Sequence, residues 1–130
     1  MSESCGRILV VDDEPGVRRL LTRSLVSAGL IAIEADDGTS ALRIVEASDH
    51  VFDILVTDIR MPRMGGLELA AKMREISPST DILYMSGHGD PFTAEEVKGG
   101  ARFLQKPFTL DLLLDTVRPI LTARGSPAPE

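Results

Sequence analysis

The stretch that decides the fold is residues 53–66, "DILVTDIRMPRMGG". Ile54, Leu55 and Val56 form an apolar run that ends in a lone acid, Asp58, followed by a loop containing Pro62, Gly65 and Gly66. A short apolar run bounded by turn residues reads as a buried strand, with the carboxylate just past its end where the chain leaves the core. In open α/β sheets that position is where ligands bind.

Outward from this stretch, the same alternation repeats. "RILVV" reads as a strand, Pro15 to Ala28 as a helix, "IAIEA" as a strand, Thr39 to about Ala47 as a helix, and "DILVT" as the third strand. Pro15 suits a first helical position and Gly29 a stop. Val17, Leu20, Leu21 and Leu25 make one apolar face, and Arg18, Arg19 and Arg23 fall off it toward solvent or a partner. Leu67 to Ile76 follows as a helix ended by Pro78, "DILYM" as a strand and Thr93 to Lys98 as a short helix. That short helix has a Thr93–Glu96 capping box and a Gly99-Gly100 stop. "ARFLQ" then leads through Lys106-Pro107 to a last helix from Thr109, with Leu110, Leu113, Leu114, Val117 and Leu121 toward the core and Leu112 off that stripe. Pro119 is expected to kink or shorten its end. The pattern is α/β: a flavodoxin-like, doubly wound five-stranded parallel sheet in the order 2-1-3-4-5, with five helices on both faces. Residues 1–6 read as an extension, 7–123 as the domain, and 124–130 as a flexible tail or linker.

At 130 residues the chain fits one domain that can bury a substantial core. Its single cysteine, Cys5, excludes an internal disulfide and fits a reducing compartment. No apolar run reaches the ~20 residues that span a membrane, and the amino terminus lacks a signal-peptide pattern, so the expectation is a cytoplasmic protein without membrane insertion. Twenty acids against 14 Lys and Arg, a formal charge of −6, argue against direct nucleic-acid binding.

The predicted topology brings two strand ends together: strand 1 ends in Asp12-Asp13 and strand 3 in Asp58. A single strand-end Asp, such as Asp13 before Pro15, is also a natural helix cap or turn former. Three acids in one crevice are different, because carboxylates ~4 Å apart repel by about 4 kcal/mol per pair at an effective dielectric near 20 and call for protons or a cation. Few, hard oxygen ligands favour Mg²⁺. Strand 4 ends at Ser86-Gly87 and strand 5 at Lys106, supplying a hydroxyl, backbone amides and an ammonium for phosphoryl oxygens. An Asp can be the nucleophile in phosphoryl transfer, and Asp58 is the candidate because adjacent Asp12 and Asp13 suit a metal.

With these residues in place, the chain resembles the receiver domain of two-component response regulators from about Arg7 to Leu121, through "ILVVDDEP", "DILVTDIRMPRMGGLEL", "YMSGHGD" and "FLQKPF". The resemblance implies that Asp58 accepts a phosphoryl group from a histidine kinase or histidine phosphotransfer protein. Asp13 and Asp58 would bind Mg²⁺ directly (Mn²⁺ substituting), Asp12 through water, and Arg60 through its backbone carbonyl. Ser86, Gly87 and Lys106 would hold the phosphoryl group, with a cis Lys106-Pro107 bond, and Ser86 and Phe103 would act as the switch. Phe at the switch position lacks the hydroxyl of the Tyr common there, which implies a coupling that is weaker or purely steric. The output face would be the 93–98 helix, the fifth strand and the last helix, and a weak homodimer through that face is a further expectation. The kinase would dock near Pro15, Gly16 and Leu20 and on the loop after Lys106. Such a domain catalyses its own phosphorylation and slow dephosphorylation without turning over an external substrate. The "YMSGHGD" and "FLQKPF" wording is most similar to receivers of hybrid sensor kinases, with a stand-alone shuttle or a single-domain regulator acting by protein contact as the other contexts the resemblance allows.

Rival readings lack a residue each. "DDEPG" is acidic where an FMN phosphate would bind and lacks the alternating ligands of an EF-hand, and Arg60 stands where an Asp-nucleophile phosphatase carries its second acid. The rival of a different class is an unphosphorylated receiver-like interaction module. His88 reads as an ordinary loop residue and His50 as a helix-end residue.

Overall fold

The computed structural model describes residues 6–49, 51–87 and 102–124. The elements run β1 (Arg7–Val11), α1 (Pro15–Ser27), β2 (Ile31–Ala35), α2 (Gly38–Ala47), β3 (Ile54–Asp58), α3 (Gly66–Ile76), β4 (Asp81–Ser86), β5 (Arg102–Gln105) and α4 (Leu110–Ala123). All five strands are parallel, in the order β2-β1-β3-β4-β5. The expected helix at 93–98 with its capping box and stop, Cys5, His50, His88 and residues 125–130 lie outside the described residues, among which there are four helices.

The strands are near-continuous apolar runs because both faces of the sheet are covered. Ile8, Val10, Ile54, Val56, Leu83, Met85 and Leu104 pack under α1 and α4. Alternate residues Leu9, Val11, Leu55, Ile82 and Tyr84 pack under α2 and α3. Helix ends follow local chemistry. Gly29, at φ 91°, closes α1 in a Schellman motif: its N–H bonds the Val26 carbonyl and that of Leu30 the Leu25 carbonyl. Asp37 caps α2 through the Ser40 N–H at 2.8 Å, and Thr109 caps α4 through Leu112.

Four expectations change. The core stripe of α1 is narrower than expected: Leu21 and Leu25 are buried and Val17 partly so, whereas Leu20, about 100° round the helix from Leu21, is 53% exposed. Arg18 is not a solvent residue. Its side chain is 13% exposed, with Nε 3.0 Å from Glu34 and Nη1 donating to the Asp12 carbonyl at 2.7 Å. Pro119 does not end α4, which continues to Ala123. The missing N–H forfeits one backbone bond, while Val117, Ile120 and Leu121, on either side of it, are buried and hold the helix together. Arg124, expected in the tail, belongs to the folded unit: its guanidinium meets Asp53 at 3.2 Å, Asp81 at 3.1 Å and the Ser79 carbonyl.

Candidate functional site

The strand order sends the chain from β1 to one face and from β3 to the other, which opens a crevice between their carboxyl ends. Asp12 follows β1 directly, and Asp58 is the last residue of β3, one position further into the strand than its sequence pattern placed it. Carboxylate oxygens of Asp12, Asp13 and Asp58 lie within 4.8 Å of one another. Asp12 is fully buried and Asp58 nearly so, whereas Asp13 is exposed at the mouth. Capping does not account for Asp13, because Glu14 is the N-cap of α1 and its side chain makes no capping bond. Instead Asp12 Oδ1 accepts the Glu14 N–H at 2.9 Å.

Lys106 enters from the end of β5, its own N–H bonded to the Ser86 carbonyl at 2.8 Å. Its Nζ lies 3.0 Å from Asp58 Oδ2 and 3.6 Å from Asp12 Oδ2. One ammonium therefore stands against two buried carboxylates. Burial pushes both acids above the ordinary value of 3.8; for Asp12 the Glu14 N–H and Lys106 oppose it, for Asp58 Lys106 does. Burial acts to lower Lys106, but its bond to Asp58 and the charges of both acids outweigh it and hold the ammonium above 10.5. Among the described residues Asp12 Oδ2 is buried without a hydrogen-bond donor. Three carboxylates and one ammonium leave room for a hard cation, which the cluster could hold.

Ser86 ends β4 and is buried, beside half-buried Gly87. The Lys106–Pro107 peptide is cis. Phe103, on β5, is half-buried and stacks on Tyr84, with ring centroids 5.3 Å apart. Arg60 is exposed in the loop after Asp58. Pro15, Gly16 and Leu20 do not enter the crevice but lie exposed on α1, where Leu20 borders a cavity of about 290 Å³ shared with Pro107 and Phe108.

That loop is built on close backbone approach. The Gly66 N–H bonds the Ile59 carbonyl at 2.9 Å, and a Cβ on Gly66 would sit 2.2 Å from the Asp58 carbonyl oxygen. Two residues absent from the sequence-based site join it. Arg63, at φ 67°, pairs with buried Asp37 at the start of α2. The Asp-Gly-Thr-Ser run at 37–40 is a local cap signal for Asp37 that the sequence-based site leaves out, and nothing in the sequence links it to a residue 26 positions on.

Fold and site together define a doubly wound α/β domain with a buried acidic pocket at its switch point. The family model for the response regulator receiver domain matches residues 8–118, and the chain belongs to that family, the receiver domains of two-component signalling. It is 38% identical over 120 residues to the C4-dicarboxylate transport transcriptional regulatory protein DctD of Pseudomonas aeruginosa, covering 91% of this chain and 26% of that protein. It is 34% identical to the response regulator receiver protein CpdR of Brucella abortus, covering 90% of this chain and 98% of that one. The receiver domain of the hybrid histidine kinase CckA superposes with a TM-score of 0.76 at 32% identity, over 89% of this chain and 99% of that domain. The chain spans about a quarter of DctD and, at 36% identity, about an eighth of the Brucella abortus sensor kinase CckA. No helix among the described residues is long and apolar enough to cross a membrane.

Proposed function

We propose that the chain is a Mg²⁺-dependent phosphoryl acceptor, with Asp58 the residue modified. The observation that carries this is the geometry at Asp58: a carboxylate fixed by a buried central strand, facing Asp12 and Asp13 within 4.8 Å, with the Lys106 ammonium 3.0 Å away. A carboxylate oxygen of Asp58 attacks the phosphorus of a phosphohistidine, and the N–P electron pair returns to the imidazole as the O–P bond of an aspartyl phosphate forms. Lys106, the Ser86 hydroxyl and the Gly87 amide hold the phosphoryl oxygens.

The donor set fits Mg²⁺ or Mn²⁺. It is all oxygen, and the buried, undonated Oδ2 of Asp12 is the kind of atom a bound cation or its water would satisfy. Asp13, Asp58 and the Arg60 carbonyl would hold the ion directly and Asp12 through water; when bound, it neutralises charge on the transferring group. Phosphorylation then biases a two-state equilibrium: Ser86 moves toward the phosphoryl group and Phe103 repacks, changing the surface of β5 and α4. With no hydroxyl on Phe103, steric fit alone couples the two. That surface would also carry any weak homodimer.

The donor is a histidine kinase or phosphotransfer protein docking on Pro15, Gly16 and Leu20, a reading supported by the exposure of Leu20 beside the Lys106-Pro107 loop. The similarity to a sensor kinase, to a single-domain receiver protein and to transcriptional regulators supports receiver chemistry in a protein-contact pathway in a cytoplasmic setting. The test is intact mass after incubation with Mg²⁺ and phosphoramidate. Wild type gains one phosphoryl group and Asp58→Asn none. No gain in folded wild type favours an unphosphorylated interaction module instead, and an equal gain in the variant places the phosphoryl group on a residue other than Asp58.

A further inference from the structure

The loop that follows Asp58 is held from the side as well as from within. Arg63 adopts the left-handed backbone at φ 67°, which any residue with a Cβ enters at an energetic cost and keeps only where its surroundings over-determine it. What holds it is the pairing of its guanidinium with Asp37, a carboxylate 2% exposed that also caps α2 through the Ser40 N–H at 2.8 Å. The neighbouring Met64 side chain lies against Gly38, so close that a Cβ there would sit 2.7 Å from it. The Met64 N–H bonds the Pro62 carbonyl at 2.9 Å, and that of Gly66 the Ile59 carbonyl at 2.9 Å. The segment between the last strand residue and α3 is thereby anchored to the start of α2, on the far side of the crevice from Lys106. Arg60, whose carbonyl the proposed function assigns to the metal, lies inside this anchored segment.

We infer that Asp37 and Arg63 are positioning residues for the cation: their ion pair fixes the loop so that the Arg60 carbonyl and the Asp58 carboxylate face the same point. This deepens the phosphoryl-acceptor reading and rests on it. Neither residue touches the ion. They act through backbone placement, as outer groups that orient metal ligands do, and loss of such groups typically weakens metal affinity by about 10–100-fold.

Three substitutions separate positioning from folding. Arg63→Gly removes the guanidinium while relieving the left-handed backbone; Asp37→Ser removes the charge while keeping a capping oxygen for Ser40; Arg63→Lys keeps a cation. The measurement is Mg²⁺ affinity of the full chain by calorimetric titration, alongside melting temperature without Mg²⁺. Arg63→Gly and Asp37→Ser should each weaken Mg²⁺ binding about tenfold, at the lower end of that range. The double variant should be no weaker than the worse single one, and Arg63→Lys should recover part of the loss. Arg63→Gly should melt close to wild type, because relief of the left-handed backbone offsets part of the lost pairing with Asp37. Wild-type affinity in both single variants, losses that simply multiply in the double variant, or a loss of affinity tracking a loss of melting temperature would overturn the inference. Failure of the wild type itself to bind Mg²⁺ would instead overturn the proposed function and this inference with it.

Discussion

Gly66→Ala adds one methyl group at the first residue of α3, and two effects then oppose each other. Alanine is the better helix former by up to about 1 kcal/mol, less in a first turn than in a helix interior. The added Cβ, however, would lie 2.2 Å from the Asp58 carbonyl oxygen, 3.0 Å from its carbonyl carbon and 3.1 Å from the Ile59 Cα. Comfortable separation requires a shift of roughly 1 Å, and overpacking of this kind costs about 1–3 kcal/mol. The steric effect wins, leaving a net loss of about 1–2 kcal/mol. For 130 residues the unfolding entropy is about 0.27 kcal/mol/K, so the melting temperature should fall by about 4–7 °C. β3 is hydrogen-bonded on both sides, to β1 and β4, so the loop and the start of α3 yield before Asp58 does. Mg²⁺ affinity should therefore fall as well, because the Arg60 carbonyl rides on that loop. Thermal melts with and without Mg²⁺ read both quantities. Gly16→Ala, with nothing within 4 Å of its Cβ, is the comparison and should stabilise by about 0.5–1 kcal/mol. A Gly66→Ala protein that melts with wild type and binds Mg²⁺ equally well would refute the close approach.

Without divalent cations, the carboxyls of Asp12 and Asp58, raised above 3.8, favour the folded state once protonated; this stabilisation is full below that value and is lost as pH rises through their folded values. Melting temperature at these groups should rise on acidification, and Asp58→Asn should flatten the rise. Asp37 has the opposite sign: the Ser40 N–H and Arg63 hold it below 3.8, so its contribution is present above that value and disappears as pH falls through its folded value. Chemical denaturation across pH separates the two when Asp37→Ser is compared with wild type. Arg18→Met leaves the Asp12 carbonyl and Glu34 without their donor and should lower stability by about 1–3 kcal/mol in urea unfolding, with Arg18→Lys recovering little because it lacks the guanidinium fork. Arg124→Ala frees the end of α4 from Asp53 and Asp81, and faster amide exchange confined to the last turn of α4 should report it.

The strands were legible because a sheet covered on both faces leaves apolar runs that no amphipathic helix imitates, and because turn residues bracket each run. The acidic site was legible for a topological reason: once β1 and β3 are known to be neighbours, Asp12, Asp13 and Asp58 must share one end. The unforeseen features are pairings over distance. Arg18 on α1 reaches Glu34 on β2, Arg63 reaches Asp37, and Arg124 reaches Asp53 across 71 positions. Each of these residues looks locally like an ordinary surface arginine, and only the folded backbone shows which carboxylate waits for it. Leu20 shows the converse, an apolar residue whose angle round α1 leaves it outside the core.

The alternation of the strands sends α1 and α4 to one face and α2 and α3 to the other, while every acid of the crevice sits at one pole. Address and chemistry are thereby written on separate parts of the molecule. If the donor docks on α1 as proposed, exchanging exposed residues such as Arg19, Leu20 and Arg23 would redirect the domain to a different donor without moving an atom of the pocket. A duplicated copy of such a chain could acquire its own correspondent within a few substitutions while inheriting its reactivity intact.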